Sequence, residues 1–294
     1  GRAENRHFML ADFDALMLAT TLEWPPIPSV VAGILVGLSL GLTGGGGGIF
    51  AVPLLVYWIG VDPKTAVSVS LVTLTVTAMV GAFERWRYGH VEVSTGLLFA
   101  AAGMMASPLG SWLGGMIAPQ CLLACFSGIM LLIAGSMWRN ASNPAERMPP
   151  KKADAGSGPI CRRDPSGTLR ITSHCAMLLL GVGLCVGLLT GLFGVGGGFL
   201  IVPAMVTFAS MSVPRAVGTS LLVMTLVGAM SVVSQMASGR TIPIEIAIGF
   251  AAGSILGLLL GSFIGRQLTG PLLSRIFAAA IVLVAGFMIT KTFL

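Results

Sequence analysis

The chain has 294 residues, of which 55% are hydrophobic and only 10% are charged, and its mean hydropathy is +0.92. An average soluble domain carries roughly 25% charged residues, so this composition excludes an ordinary soluble protein and predicts an integral membrane protein. The formal net charge of +6 does not indicate nucleic-acid binding, because the basic residues lie between apolar segments. Stretches such as 93–138 and 175–214 contain no Asp, Glu, Lys or Arg, and each exceeds the about 20 residues that a spanning helix needs.

The N-terminal segment 1–24 does not have the pattern of a signal peptide. Its apolar run, residues 15–21, is short and follows Asp12 and Asp14, whereas a signal peptide has a basic start and then a longer apolar region. The first residue is not Met, so whether residues 1–8 are native is left open.

The first long apolar segment, residues 28–59, is interrupted by glycines. Residues 41–56 read GLTGGGGGIFAVPLLV, and five consecutive glycines disfavour a helix because fixing their backbone costs much conformational entropy. The 32 residues of this segment would make a helix of roughly 48 Å, well beyond a hydrocarbon core of about 30 Å. The segment therefore either turns back as a hairpin of two half-helices or crosses once with a bend.

The same motif occurs a second time. Residues 191–206 read GLFGVGGGFLIVPAMV, which matches the first motif at a distance of 150 positions, and the match extends from 66–71 to 216–221. This duplication predicts two homologous repeats, about 28–138 and 174–294. The predicted spans after the first broken segment are 65–86, 93–117 and 120–138; the second repeat has a broken segment at 176–210 and spans at 215–237, 243–266 and 271–292.

Residues 139–173 form a basic linker between the repeats. Seven Lys or Arg and three acidic residues lie there among Pro, Gly and Ser, a composition typical of a solvated segment. Because loops rich in Lys and Arg stay on the cytoplasmic side, the linker is predicted to be cytoplasmic.

Charge counting does not choose between the hairpin and the single crossing. Hairpins put 12 Lys and Arg on the linker side and 5 on the other, and single crossings put 13 and 4. The hairpin inverts the second repeat and places both termini opposite the linker, whereas the crossing leaves the repeats parallel with the termini beside it. The short pieces on either side of the glycines favour the hairpin.

Glycines outside the breaks are predicted to serve helix packing. Small residues at four-residue spacing let helix backbones approach closely in lipid. The series with this spacing are Gly33, Gly37 and Gly41, then Gly183, Gly187 and Gly191, and Gly257, Gly261 and Gly265.

The two glycine breaks are predicted to bind a small anion. A helix that begins after a glycine turn exposes unpaired N–H groups and the positive end of its dipole. Hydroxyl groups nearby would add neutral donors, although any one of them is more often bonded within its helix or to a neighbouring helix. The predicted substrate-binding residues are Thr43, Gly44, Gly46, Gly47, Gly48, Ser70 and Thr75 in the first repeat, and Gly194, Gly196, Gly197, Gly198, Ser220 and Thr225 in the second. Further candidate donors are Ser68, Thr73, Thr190 and Thr219.

The sequence offers no residues for catalysis or metal binding. No ionisable residue lies in the middle of a span, where it would mark a proton relay, and no Ser-His-Asp, HExxH or phosphate-loop pattern occurs. The three histidines are scattered, and the five cysteines form no CxxC pair, which predicts buried, reduced thiols. The chain is therefore predicted not to be an enzyme and to have no catalytic residues, cofactor or metal.

The doubled motif resembles that of the sulfite exporter TauE/SafE family, also called the toluene sulfonate uptake permeases. The resemblance covers both halves, and its motif positions are Gly44, Gly46, Gly47, Gly48, Pro53 and Ser70, with Gly194, Gly196, Gly197, Gly198, Pro203 and Ser220. It implies an inner-membrane permease for sulfite, organosulfonates or related small anions. The first repeat departs from the second by having Gly45 where the second has Val195.

The sequence thus predicts an all-α, multi-pass membrane protein with a single transmembrane transporter domain over residues 1–294. We expect a secondary transporter of small anions that works by alternating access in the inner membrane, with the lipid bilayer and the anion as its partners and no nucleic acid. An anion channel and a non-transporting membrane scaffold are the alternatives. The substrate, the direction of transport, a coupling ion and the oligomeric state are left open.

Overall fold

The computed structural model describes residues 27–142, 162–163, 169–170, 173–209, 211–239, 243–265, 279, 281–288 and 290–291. Within these ranges the helices are α1 (Ile27–Thr43), α2 (Gly48–Pro53), α3 (Pro63–Arg87), α4 (Val93–Met116), α5 (Pro119–Ser142), α6 (Ser173–Phe193), α7 (Gly198–Phe208), α8 (Val213–Ala237) and α9 (Ile244–Gly265). Residues 281–288 are also helical, and α2 continues as a π-helical turn over Leu54–Trp58. A two-residue antiparallel pairing joins β1 (Arg162–Arg163) to β2 (Leu169–Arg170). The prediction of an all-α fold is confirmed; the N-terminal segment, most of the linker and part of the last predicted span lie outside the described residues.

Several helices are long and apolar enough to cross a membrane. Within the described ranges these are α3, α4, Ala176–Phe193 of α6, α8 and α9, and shorter apolar helices occur at α1, Gly48–Trp58 and Pro119–Leu132. Their outward faces carry large apolar side chains, among them Met105, Trp112, Leu132, Met177, Ile248 and Phe263. Such a surface is unfavourable in water and suits lipid. The chain is therefore a multi-pass membrane protein.

The cysteines differ from the prediction in one respect. Cys121, Cys125 and Cys185 are free, as expected, but all three are exposed. For these three the expectation of burial was wrong, because a cysteine on an apolar helix can face lipid as readily as the protein interior. Cys161 and the side chain of Cys175 lie outside the described residues.

The glycine series outside the breaks lie against neighbouring helix backbones. A Cβ on Gly37 would overlap the backbone of Ser254 in α9, and one on Gly187 would overlap that of Gly103 in α4. The most extensive helix pairings among the described residues are accordingly α1 with α9 and α6 with α4. The packing prediction is confirmed, and each first helix packs against the other half of the chain.

The central helices α3 and α8 cross in opposite directions. Ser68 near the start of α3 donates to Gln235 near the end of α8 at 2.5 Å, whereas a Cβ on Gly81, late in α3, would lie 3.1 Å from Leu221, early in α8. These helices contain the matching segments 66–71 and 216–221. Their antiparallel crossing places equivalent parts of the two halves in inverted orientation.

The direction of α1 distinguishes the hairpin from the single crossing. Gly33 and Gly41 of α1 lie against Phe250 and Leu258 of α9, so these two helices run parallel. Helix α3 also runs parallel to α9, since Thr77 contacts Ser254 at 2.6 Å and Ser262 donates to Glu84 at 3.1 Å.

Because α1 and α3 point the same way, the chain between them has to return, and the π-helical turn after α2 still contacts α1. These directions fit the hairpin and contradict a single crossing. The exact bounds of the repeats stay a prediction.

We predict that matched loop positions in the two halves lie on opposite membrane faces. Tyr88 and Ser238 are both exposed, follow α3 and α8 directly and are 150 positions apart. In a variant whose five native cysteines are replaced by alanine, Tyr88→Cys and Ser238→Cys should react with a membrane-impermeant maleimide from opposite sides. Parallel repeats would put both cysteines on the same side, and that result would overturn the inverted arrangement.

Candidate functional site

The first break is a short turn closed by a side chain. Gly44 follows α1 with a φ of +73°, a conformation that glycine adopts without a steric penalty, and its N–H donates to Leu40 at 2.7 Å. The hydroxyl of Thr43 donates to Ser39 at 2.7 Å and accepts from the N–H of Gly46 at 2.9 Å. Thr43 therefore acts as a cap inside the break.

The second break has a different backbone course. Gly194, Gly196 and Gly197 all have positive φ angles, of 70°, 72° and 64°. Phe193 stands at the position of Thr43 and has no hydroxyl, so the matching cap is absent. The hydroxyl of Thr190, which is 0% exposed, has no hydrogen-bond partner among the described residues.

The two breaks touch each other in the middle of the fold. A Cβ on Gly198 would lie 2.6 Å from the Cα of Gly45, and one on Gly48 would overlap the carbonyl oxygen of Val195. These two contacts are related by the 150-residue repeat, since Gly48 matches Gly198 and Gly45 matches Val195. Glycine is therefore needed here because one backbone lies directly against another.

Two serines hold the contact from both sides. The hydroxyl of Ser70 donates to the carbonyl oxygen of Gly194 at 2.7 Å, and that of Ser220 donates to Gly44 at 2.6 Å. Each hydroxyl also lies near a carbonyl of its own helix, Val67 at 2.9 Å and Val217 at 2.8 Å. The two serines are fully buried, so each one ties its helix to the break of the opposite half.

Unpaired backbone N–H groups remain within both breaks. Gly45, Gly47 and Gly48 in the first break, and Val195 to Gly198 in the second, have no acceptor among the described residues. All of these residues are buried, and buried N–H groups without a partner are rare in proteins. The breaks therefore offer hydrogen-bond donors and no side-chain charge.

Thr75 and Thr225 are not brought to the breaks by their hydrogen bonds. Thr75 donates to Leu71 at 2.6 Å and Thr225 to Leu221 at 2.8 Å, each within its own helix. Substrate binding by these two residues, as by the glycines and serines, stays a prediction.

Two side chains that sequence reasoning missed pack against the second break. A Cβ on Gly196 would lie 2.7 Å from Met224 and 3.8 Å from Leu74, and Met224 also lies against Gly198. Leu74 and Met224 are 150 positions apart, so the repeat register was the signal that could have found them.

An apolar crevice borders the second break. It is lined by Phe126, Ile129, Leu189, Phe193, Val195 and Gly197. In the described part of the chain, no group of three or more His, Cys, Asp or Glu side chains could hold a metal ion.

Duplicated helices interrupted by glycines at their meeting point are the architecture of a membrane transporter. The chain belongs to the sulfite exporter TauE/SafE family, whose model matches residues 29–288. The family resemblance inferred from the doubled motif is thereby confirmed, and the protein is a membrane transporter.

The chain is similar in sequence to curated relatives over nearly their full length. A probable membrane transporter protein of Xylella fastidiosa (strain Temecula1) is 32% identical over 271 residues, which cover 90% of this chain and 95% of the relative. The probable membrane transporter protein YunE of Bacillus subtilis (strain 168) is 29% identical, with 87% and 94% covered. A probable membrane transporter protein of Methanocaldococcus jannaschii is 23% identical, with 94% and 96% covered. No solved structure matches the chain.

Proposed function

We propose that this protein is a secondary transporter of small anions, with sulfite or organosulfonates as substrates, and that it is not an enzyme. The observation that carries the proposal is the meeting of two buried glycine breaks whose N–H groups lack acceptors. Helix starts with free N–H groups favour a negative ligand, because their partial positive charge is fixed in place. A cation would find no carboxylate there, since residues 41–61 and 191–213 contain no charged residue.

The closed contact between the breaks supports transport by alternating access. Residues 44–49 and 193–198 are buried, so an anion can reach them only if the surrounding helices move. Inverted halves supply two related arrangements, one open to each side, which is the basis of alternating access in repeat transporters. We propose that the helices rearrange around the paired breaks.

Charge placement supports an orientation with the linker in the cytoplasm. The end of α3 and the start of α8 share one side, because the N–H of Glu92 donates to Thr219 at 3.0 Å and Gly218 lies against Arg85 and His90. Helices α4 and α5 return the chain to that same side before the linker begins. Arg85, Arg87 and Arg215 thus join the basic linker, and the positive-inside rule makes this side cytoplasmic in the inner membrane.

The test is transport by the purified protein in liposomes. Under an inward anion gradient or a pH gradient, uptake of sulfite, methanesulfonate, thiosulfate and acetate is measured with and without protein. We expect saturable uptake of sulfite or methanesulfonate that accelerates when the same anion is preloaded inside. Current that neither saturates nor shows this counterflow would identify an anion channel, and no flux of any of these anions would contradict the proposal.

A further inference from the structure

We propose that the two breaks are not equivalent, that the oxyanion is held at the second one, and that the hydroxyl of Thr190 is one of its hydrogen-bond donors. The first break is then a structural turn. This inference rests on the proposed function, because it assumes that the breaks form the transport site.

Thr190 is the residue that points to the second break. Its hydroxyl lies 2.5 Å from the position a Cβ on Gly197 would take, so it faces the start of α7. Several other threonines donate to the carbonyl four residues earlier, as Thr73 does with Val69 at 2.6 Å. A fully buried hydroxyl without a partner costs free energy, and a ligand that accepts from it would remove that cost.

The backbone of the second break supports the same assignment. Gly196 and Gly197 both adopt positive φ, and their N–H groups have no acceptor within the described ranges. In the first break Thr43 already accepts from Gly46.

The donors lie beside the apolar crevice. Gly197 faces Thr190 and also lines that crevice. Because residues 193–198 are buried, an oxyanion would accept from Thr190 and from the N–H groups of the break once the surrounding helices move.

The experiment compares Thr190→Val with Thr43→Val, using sulfite as the probe. Valine keeps the shape of threonine and removes the hydroxyl. In liposomes Thr190→Val should raise the KM for sulfite about tenfold, as expected for one lost hydrogen bond to a charged ligand, with a smaller change in kcat. Its melting temperature without sulfite should equal or exceed that of the wild type, and the stabilisation by added sulfite should shrink.

The matched control should behave in the opposite way. Thr43→Val loses the cap on Gly46, so its melting temperature should fall, and its KM should rise much less than that of Thr190→Val. Thr190→Ser, which restores a hydroxyl, should recover most of the affinity.

A wild-type KM in Thr190→Val would overturn the inference and leave the proposed function standing. The same applies if Thr43→Val alone raises KM, since that result would place the anion at the first break. If Thr190→Val is not recovered folded, Thr190→Ala is measured instead with the same expectations for KM. Absence of sulfite transport and of a sulfite-induced thermal shift in the wild type would instead count against the proposed function.

Discussion

Gly48→Ala is expected to abolish transport and to lower the stability of the folded protein strongly. A Cβ at this position would overlap the carbonyl oxygen of Val195, and a backbone group of the opposite break cannot rotate away as a side chain can. Overpacking a tight core typically costs about 1–3 kcal/mol even where side chains can adjust. Gly198→Ala should have a similar effect, because its Cβ would lie 2.6 Å from the Cα of Gly45. The measurements are uptake in liposomes and the melting temperature in detergent.

The control for this pair is Gly128→Ala. Gly128 lies within α5, and a Cβ there would meet nothing within 4 Å. Alanine is a better helix former than glycine by about 1 kcal/mol, so this variant should be as stable as the wild type or slightly more stable. Neither Gly48 nor Gly198 has a positive φ, so a large loss in their variants would report overlap rather than backbone strain. Wild-type transport and stability in Gly48→Ala would show that the breaks do not touch as described.

Ser70→Ala and Ser220→Ala are expected to destabilise the protein to a similar degree. Each removes the hydrogen bond to a glycine carbonyl of the opposite break, at 2.7 Å and 2.6 Å respectively. A buried carbonyl left without its donor costs about 1–3 kcal/mol. The double variant should lose no more than the sum of the two, because both bonds secure one contact and breaking either one weakens the other. Denaturant unfolding of the purified protein measures these losses.

Ser127→Ala separates this effect from the general cost of removing a buried serine. Ser127 is 1% exposed, like the two break serines, but it donates to Leu123 within its own helix at 2.8 Å. Its replacement should change stability by much less. If all three serine variants had the same free energy of unfolding, the hydrogen bonds between the halves would not contribute to stability beyond an ordinary buried serine.

The sequence was sufficient for the helices and for the position of the breaks. Apolar runs bounded by charged or turn residues predicted spans at 65–86 and 215–237, close to α3 (63–87) and α8 (213–237). The breaks were visible because clustered glycines disfavour a helix wherever they occur. The packing role of Gly37 and Gly187 was also readable from their spacing, although their partner helices were not.

The path of the chain through the breaks could not be read from the sequence. The hairpin model and the single-crossing model give nearly the same split of Lys and Arg between the two membrane sides. Only contacts between helices that are distant in sequence distinguish the two models. The role of Ser70 and Ser220 was hidden for the same reason, because a hydroxyl in a helix does not show which carbonyl it reaches. The 150-residue register pairs Ser70 with Ser220 and Gly44 with Gly194. A role found for one serine is therefore expected for the other.

The close packing of α1 against α9 and of α6 against α4 restricts which helices can move relative to one another. Gly37 lies against the backbone of Ser254, and Gly187 lies against that of Gly103. A hinge motion between the two repeats would therefore separate both of these helix–helix interfaces. A motion that keeps both helix–helix interfaces intact moves α9 together with α1, and α4 together with α6. The moving parts are then two bundles, each of which contains helices of both repeats, and the hinge is expected between these bundles rather than at the linker.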